Sequence, residues 1–233
     1  MANHVVNQLV VTSKSQEDLM KFYNFVNCGE NGFDFNSVLP MPNELEDTEV
    51  SPRVNKGIYH YLLASGKGDK VWELLHFNRA TSSVKEDVDD LIEVGEKYYK
   101  LHEKYGAFNW AMWRKNNWGC ERNPYNAYAE MYDDTLVFLF TTSNFGVPNI
   151  IKKLTEMFPN LWFDYKYADE DIACNCGEGS GNAEQGFNFN VAEDESDKAL
   201  QIYLECWDED IEDICQDSNG HYHHIDFEDE DDE

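Results

Sequence analysis

Thr135-Leu-Val-Phe-Leu-Phe-Thr-Thr-Ser-Asn-Phe-Gly-Val-Pro-Asn-Ile-Ile-Lys-Lys-Leu-Thr-Glu-Met-Phe-Pro-Asn-Leu-Trp-Phe-Asp-Tyr-Lys-Tyr167 reads as a strand, a helix and a second strand in 33 residues. Thr135–Thr142 is rich in aromatic and β-branched residues, which suit a pleated, half-buried surface. Val147-Pro148 opens a helix, because proline is tolerated at the first helical position, and Pro159 ends it. Between them Ile150, Ile151, Leu154, Met157 and Phe158 recur at helical spacing and define one apolar face. From Leu161 to Tyr167 the pattern returns to a period of two.

Working outward, Asn126–Tyr132 is a strand joined to the next at Asp133-Asp134. His4–Thr12 is a β-rich run, and Ser15 caps a helix whose Leu19, Phe22, Tyr23 and Val26 share one face. Asn27–Asn36 reads as loop, and Phe33–Pro42 as an extended segment closed by prolines. Residues 43–80 are irregular, with a strand or helix at Ile58–Leu63. Ser83 and Glu86 form a capping box for a helix over Val84–Tyr105, with Val88, Leu91, Tyr98 and Leu101 as its stripe and Gly106 as its stop. Phe108–Lys115 is a short aromatic helix ending near Gly119.

Past the quoted stretch, Gly177–Gly186 reads as a glycine-rich loop. Phe187, Phe189 and Val191 alternate with Asn188 and Asn190, and Ile202, Leu204 and Cys206 alternate with Tyr203 and Glu205. That period of two predicts a hairpin. Collected, the fold class is α+β: a split β-α-β sandwich of ferredoxin-like topology, with a helical insertion and an extra acidic C-terminal β-hairpin. The expected divisions are a core over 1–168 interrupted at about 43–120, a hairpin extension packed on it over 169–225, and an acidic tail over 226–233.

Charge sets the functional expectation. Asp164–Glu233 holds 24 Asp and Glu against Lys166 and Lys198, which is −22 of the total −28. Such a block repels nucleic acid and anionic lipid and attracts cationic surfaces. Disordered acidic segments are poor in aromatic residues, whereas this one interleaves Trp162, Phe163, Tyr165 and Tyr167 with its charges, so the carboxylates are expected on a folded frame. Only Asp226–Glu233 reads as a plain solvated tail. The bland alternative is that the charge serves solubility.

Three sequence blocks resemble the YubB-like family with a ferredoxin-like domain, carried by phages, prophages and plasmids: Asn7–Thr12 with its helix, Phe33–Pro42, and Asn117-Trp-Gly-Cys-Glu-Arg-Asn-Pro-Tyr-Asn-Ala127 with the Phe138–Ser143 and Val147–Ile151 segments behind it. The family normally has Lys after Trp-Gly and Trp or Pro in the serine-containing loop. Cys120 and Asn144-Phe145-Gly146 stand there instead. The resemblance implies a mobile-element accessory protein and brings no catalytic residues with it.

No phosphate-binding loop, dinucleotide fingerprint or nucleophile elbow is present, so an enzyme is not expected and no cofactor is assigned. Cys174, Cys176, Cys206, Cys215, His221 and His223 fall within fifty residues. Zinc sites are usually built on C-x₂₋₄-C knuckles, however, and a lone C-x-C departs from them. Without a basic, apolar leader or an apolar run of about 20 residues, the chain is expected in the bacterial cytoplasm and off the membrane.

The leading expectation is a phage-type counter-defence inhibitor. It would be an acidic nucleic-acid mimic that blocks a basic host protein such as a CRISPR effector or restriction nuclease, without binding nucleic acid itself. Asp194, Glu195, Asp197, Asp208, Glu209, Asp210, Glu212 and Asp213 are the expected contact residues. An alternative is an interaction module working through Trp113 and Trp118 in the aromatic insertion, and a third is an enzyme acting on a nucleotide signal.

Overall fold

The computed structural model describes residues 2–26, 33–75 and 87–225. The chain divides into two compact units, Met1–Leu39 with Asn117–Glu233, and Pro40–Asn116.

In the first unit, β1 (His4–Thr12) buries alternate residues along its length. It is followed by α1 (Gln16–Val26), where Ser15 Oγ accepts the Asp18 N–H at 3.2 Å and caps the helix. β2 (Tyr125–Met131), β3 (Thr135–Ser143), α7 (Pro148–Met157) and β4 (Trp162–Asp169) complete the β-α-β-β-α-β set. Two further strands, β5 (Gly177–Asn182) and β6 (Gly186–Val191), extend the sheet. Its order is β2-β3-β1-β4-β5-β6, with every neighbouring pair antiparallel. With β1 central between β3 and β4, the fold is ferredoxin-like and α+β.

The quoted stretch fixes the core. Leu136, Phe138 and Phe140 of β3, and Phe163 and Tyr165 of β4, are fully buried with Ile150, Ile151 and Leu154 of α7. Phe22 of α1 meets Phe158 at 5.1 Å and Phe163 at 5.5 Å, both edge to face. Three polar side chains are buried together here, Tyr165, Asn7 and Thr142. Tyr165 Oη donates to Asn7 Oδ1 at 2.6 Å and accepts the Val147 N–H at 2.8 Å. Asn7 Nδ2 in turn reaches Thr142 Oγ1 at 2.9 Å, and Thr142 Oγ1 donates to the Phe145 carbonyl at 2.7 Å. The loop after β3 is therefore tied into the core.

Three readings of this unit are corrected. The expected extended segment at Phe33–Pro42 contains a helical turn, α2 (Phe35–Val38), because Asp34 caps it by accepting the Asn36 N–H. Its two buried side chains, Phe35 and Val38, are spaced for a helix. The expected glycine-rich loop is strand β5. A Cβ on Gly177 would come within 2.7 Å of the Phe189 and Tyr167 rings, so glycine there makes room for aromatic neighbours. The expected strand at Ile202–Cys206 is α8 (Asp197–Trp207), so the hairpin is β5–β6. Ile202 and Cys206 are also four apart, and with Ala199, Leu200 and Tyr203 they form a helical stripe capped by Ser196. α8 covers the sheet face opposite α1 and α7, packing on Val6 and Ala168, which sit side by side on β1 and β4.

After α8 come a 3₁₀ turn at Ile211–Asp213 and a small hairpin, β7 (Ile214–Gln216) with β8 (Tyr222–His224). The expected acidic tail over 226–233 lies outside the described residues.

The second unit is helical: α3 (Pro52–Ala64), α4 (Lys70–Leu75), α5 (Val88–Tyr105) and most of α6 (Trp110–Trp118). Ile58–Leu63 belongs to α3. Asp87 caps α5 by accepting the Asp89 N–H, and Gly106 at φ 70° ends it. The expected Ser83–Glu86 capping box lies outside the described residues. α3 and α5 cross at Gly57 and Gly95, whose backbones are so close that a Cβ on Gly95 would lie 2.0 Å from the Gly57 carbonyl oxygen.

Candidate acidic binding surface

The eight acids singled out in the sequence stand at the two ends of α8. Asp194, Glu195 and Asp197 lie at its N-terminus, and Asp208, Glu209, Asp210, Glu212 and Asp213 follow its C-terminus. Six are exposed, while Glu195 and Glu209 are half-buried. The helix between them is 11 residues long, so the groups are about 16 Å apart along it at 1.5 Å per residue.

The frame beneath is rigid for local reasons. Ala199, Leu200, Ile202, Tyr203 and Cys206 anchor α8 in the core. At its start, Asp194 Oδ1 accepts the Asn175 N–H at 2.8 Å. Asn175 Nδ2 donates to the Asn144 carbonyl and to Asp169 Oδ2, both at 2.8 Å. Asn3 Nδ2 completes the knot by donating to Asp169 Oδ1 at 2.8 Å and to Asp171 Oδ2 at 3.0 Å. Asn144, Ala173, Asn175, Glu195 and Asp208 all sit in the left-handed region, at φ between 47° and 66°. That conformation costs about 1–2 kcal/mol for a residue such as Ala or Glu, so it persists only where neighbouring bonds over-determine it. The Glu195 N–H to Ala173 carbonyl bond at 2.8 Å is one of these.

The β7–β8 hairpin straps the surface from one end of α8 to the other. Glu195 Oε1 pairs with His221 Nδ1 at 2.9 Å, and its Oε2 accepts the Tyr222 N–H at 3.2 Å. His224 Nδ1 lies 3.8 Å from Glu209 Oε2, and Tyr203 Oη donates to Glu209 Oε1 at 3.2 Å. The His221 hydrogen bond holds Glu195 below the ordinary carboxylate range, and Glu195 raises His221 above the ordinary imidazole value. Both Lys166 and Lys198 are already engaged, with Glu205 and Glu178, so the lysines of the acidic third do not neutralise the acids at the ends of α8.

The weak metal-ligand candidates Cys174, Cys176, Cys206, Cys215, His221 and His223 are not brought together. Among the described residues no group of three or more His, Cys, Asp and Glu is arranged to hold a metal ion. Cys176 and Cys206 are core residues whose thiols burial pushes up to about 12. Burial and the adjacent Glu195 push Cys174 up to about 11. These three thiols keep their protons at neutral pH. Cys215 lies across the hairpin from His223, Sγ to Nε2 at 3.0 Å, and His221 is engaged by Glu195.

The aromatic alternative fares differently. Trp118 is 1% exposed, packs on Phe35 and donates its Nε1–H to the Leu39 carbonyl at 2.8 Å. Trp113 is 9% exposed. Neither ring offers a free face for stacking. Sequence reasoning missed the asparagine knot around Asp169 and the Glu195–His221 tether. The clustered Asn and Asp residues of these loops were the available signal for the first. Residues 26 apart carried none for the second.

Residues 124–215, which run along the chain from β2 into β7, match the family model described as the ferredoxin-like domain in Api92-like protein. The crystal structure of a protein api92 from Yersinia pseudotuberculosis is similar at 9% sequence identity with a TM-score of 0.44, covering 83% of this chain and 99% of that one. No curated protein matches the chain. Among the described residues no helix is long and apolar enough to cross a membrane.

Proposed function

We propose that the chain is a non-catalytic inhibitor that presents a fixed acidic surface to the nucleic-acid channel of a basic host protein, such as a CRISPR effector or a restriction nuclease. The observation that carries this reading is the two groups of carboxylates at the ends of α8, six of the eight exposed, none paired with lysine, and held on a strained, over-determined frame. A charge kept only for solubility needs no such frame. The separation of about 16 Å between the groups equals the axial rise of about five nucleotides at 3.4 Å each. Asp and Glu held in place substitute for phosphates by accepting hydrogen bonds from Arg and Lys.

The net charge of −28 opposes direct binding of nucleic acid. The burial of Trp113 and Trp118 counts against the aromatic module. The narrower kinship to YubB-like mobile-element proteins rests on the Asn7–Thr12, Phe33–Pro42 and Asn117–Ala127 blocks, and it agrees with action in the cytoplasm of an infected bacterium.

The test is capture from host lysate by the tagged full chain, eluted in a salt gradient and repeated with Asp208, Asp210, Glu212 and Asp213 all changed to Lys. A nucleic-acid enzyme held by the native chain, released at moderate salt and absent from the variant is the expected result. A partner held equally by both chains and indifferent to salt overturns the reading.

A further inference from the structure

The two edges of the six-stranded sheet are unlike. The β2 edge is broken by a register shift between Tyr125 and Tyr128, with Asn126 at φ 52°, and carries Glu130. Bulges and charges of this kind are how natural sheets keep an edge from pairing with another chain. The β6 edge has none of these defences. Its register with β5 runs unbroken from Gly186 opposite Asn182 to Val191 opposite Gly177. The strand Gly-Phe-Asn-Phe-Asn-Val holds no proline and no charge. Among the described residues nothing pairs with its outer side.

The glycines of β5 explain why that edge is bare. The Phe189 ring lies over Gly177 and the Phe187 ring over Gly179, so both lean inward. Phe187 stacks on Phe189 at 6.3 Å, and Phe189 stacks on Tyr167 at 6.0 Å. The rings therefore turn away from the outer backbone, while Asn188 and Asn190 are exposed and Val191 is 64% exposed. An edge strand turns the N–H and C=O of every second residue outward, a ready template for strand addition.

Charge selects the occupant. Exposed Glu184 stands in the turn before β6, and exposed Glu193 and Asp194 follow it, one at either end of an edge of about 20 Å at 3.4 Å per residue. A second copy pairing antiparallel would set Glu184 of each chain beside Glu193 and Asp194 of the other, acid on acid. The chain's own Asp226–Glu233 stretch, seven acids in eight residues, has the wrong sign too. The edge fits an uncharged extended segment bounded by Lys or Arg at both ends.

We propose that β6 is a strand-addition site for such a basic-ended segment of the partner protein. It rests on the reading above that the partner is basic. The test uses the full chain and a synthetic peptide, Lys-Arg-Val-Thr-Val-Thr-Val-Arg-Lys, with a control peptide in which two Val are replaced by Pro. Amide hydrogen exchange within Gly186–Val191 is the readout. The peptide is expected to slow exchange of alternate β6 amides by about tenfold or more, the proline peptide to leave them unchanged, and E184K with E193K to weaken binding by about tenfold or more.

Peptide binding that perturbs Asp208–Asp213 without protecting β6 overturns strand addition and leaves the acidic-surface reading standing. So does an absence of peptide binding when the native chain still captures its host partner. Amides of β6 already protected in the free chain, with a dimer in sedimentation, assign the edge to a second copy and overturn the proposal.

Discussion

Tyr165→Phe removes one oxygen atom from the core and nothing else. The ring keeps its volume, so no cavity opens. Two partners are orphaned: Asn7 Oδ1 loses its donor and the Val147 N–H loses its acceptor. Asn7 and Val147 are 0% exposed and Tyr165 is 1% exposed, which leaves no route for water to replace the hydroxyl. At about 1–3 kcal/mol for each buried group left unpaired, the substitution costs about 2–6 kcal/mol. With a urea slope of about 2 kcal/mol per molar, the midpoint for the sheet unit falls by about 1–3 M. Far-ultraviolet circular dichroism and β1 amide exchange both follow that transition. Tyr128→Phe, with Tyr128 57% exposed on β2, is the matched control and shifts nothing. In an Asn7→Leu background the same change costs less, because one of its two orphans is already gone. The loss also reaches the surface: Asn144 lies within the Thr142–Phe145 loop, and its carbonyl accepts from Nδ2 of Asn175, the residue whose backbone N–H is held by Asp194. A loss below 1 kcal/mol with an unchanged slope refutes the reasoning.

Gly95→Ala drives a methyl group to 2.0 Å from the Gly57 carbonyl oxygen. It costs the helical unit about 3 kcal/mol, the upper end for overpacking, whereas Gly106→Ala meets only its φ of 70° and costs about 1–2 kcal/mol; thermal melts of the two variants separate these effects. The His221–Glu195 tether is pH-dependent with a defined sign. His221 is raised above 6.5, so its contribution is complete below that value and fades as pH rises through the folded value; Glu195 is depressed below 4.5, so its contribution fades only under stronger acid. The strap is firmest between 4.5 and 6.5, and in an NMR titration the His221 value should fall back towards the ordinary one in Glu195→Gln, with Asp217 still holding part of the rise. Changing Asp208, Asp210, Glu212 and Asp213 to their amides should raise the melting temperature at low salt, since it relieves self-repulsion, while binding to the captured partner is lost. A melting temperature that falls would mean these acids serve the fold.

The sheet core was legible because its residues obey one rule at a time. Thr135–Tyr167 switches from period two to period 3.6 and back, and proline marks both helix ends. α8 was misread because Ile202, Leu204 and Cys206 satisfy the strand period over five residues. The Ser196 cap and the Ala199–Cys206 stripe, which decide for helix, show only over a longer window. β5 was misread because its glycines suit a turn, and their purpose appears only once Phe187, Phe189 and Tyr167 are seen packed over them. The acids of the candidate surface were legible as a charge block. Their grouping at the two ends of one helix depended on that helix, and the asparagine knot and histidine strap that fix them join residues far apart in the chain.

A nucleic-acid mimic and nucleic acid itself must compete for one channel on the host protein. The direct measurement takes the host protein captured by the full chain and adds duplex DNA in rising amounts at fixed salt, following release of this chain. Stoichiometric release, with Asp208, Asp210, Glu212 and Asp213 changed to Lys failing to bind at all, is the predicted result. A ternary complex in which DNA and the chain sit on the host protein together would contradict it.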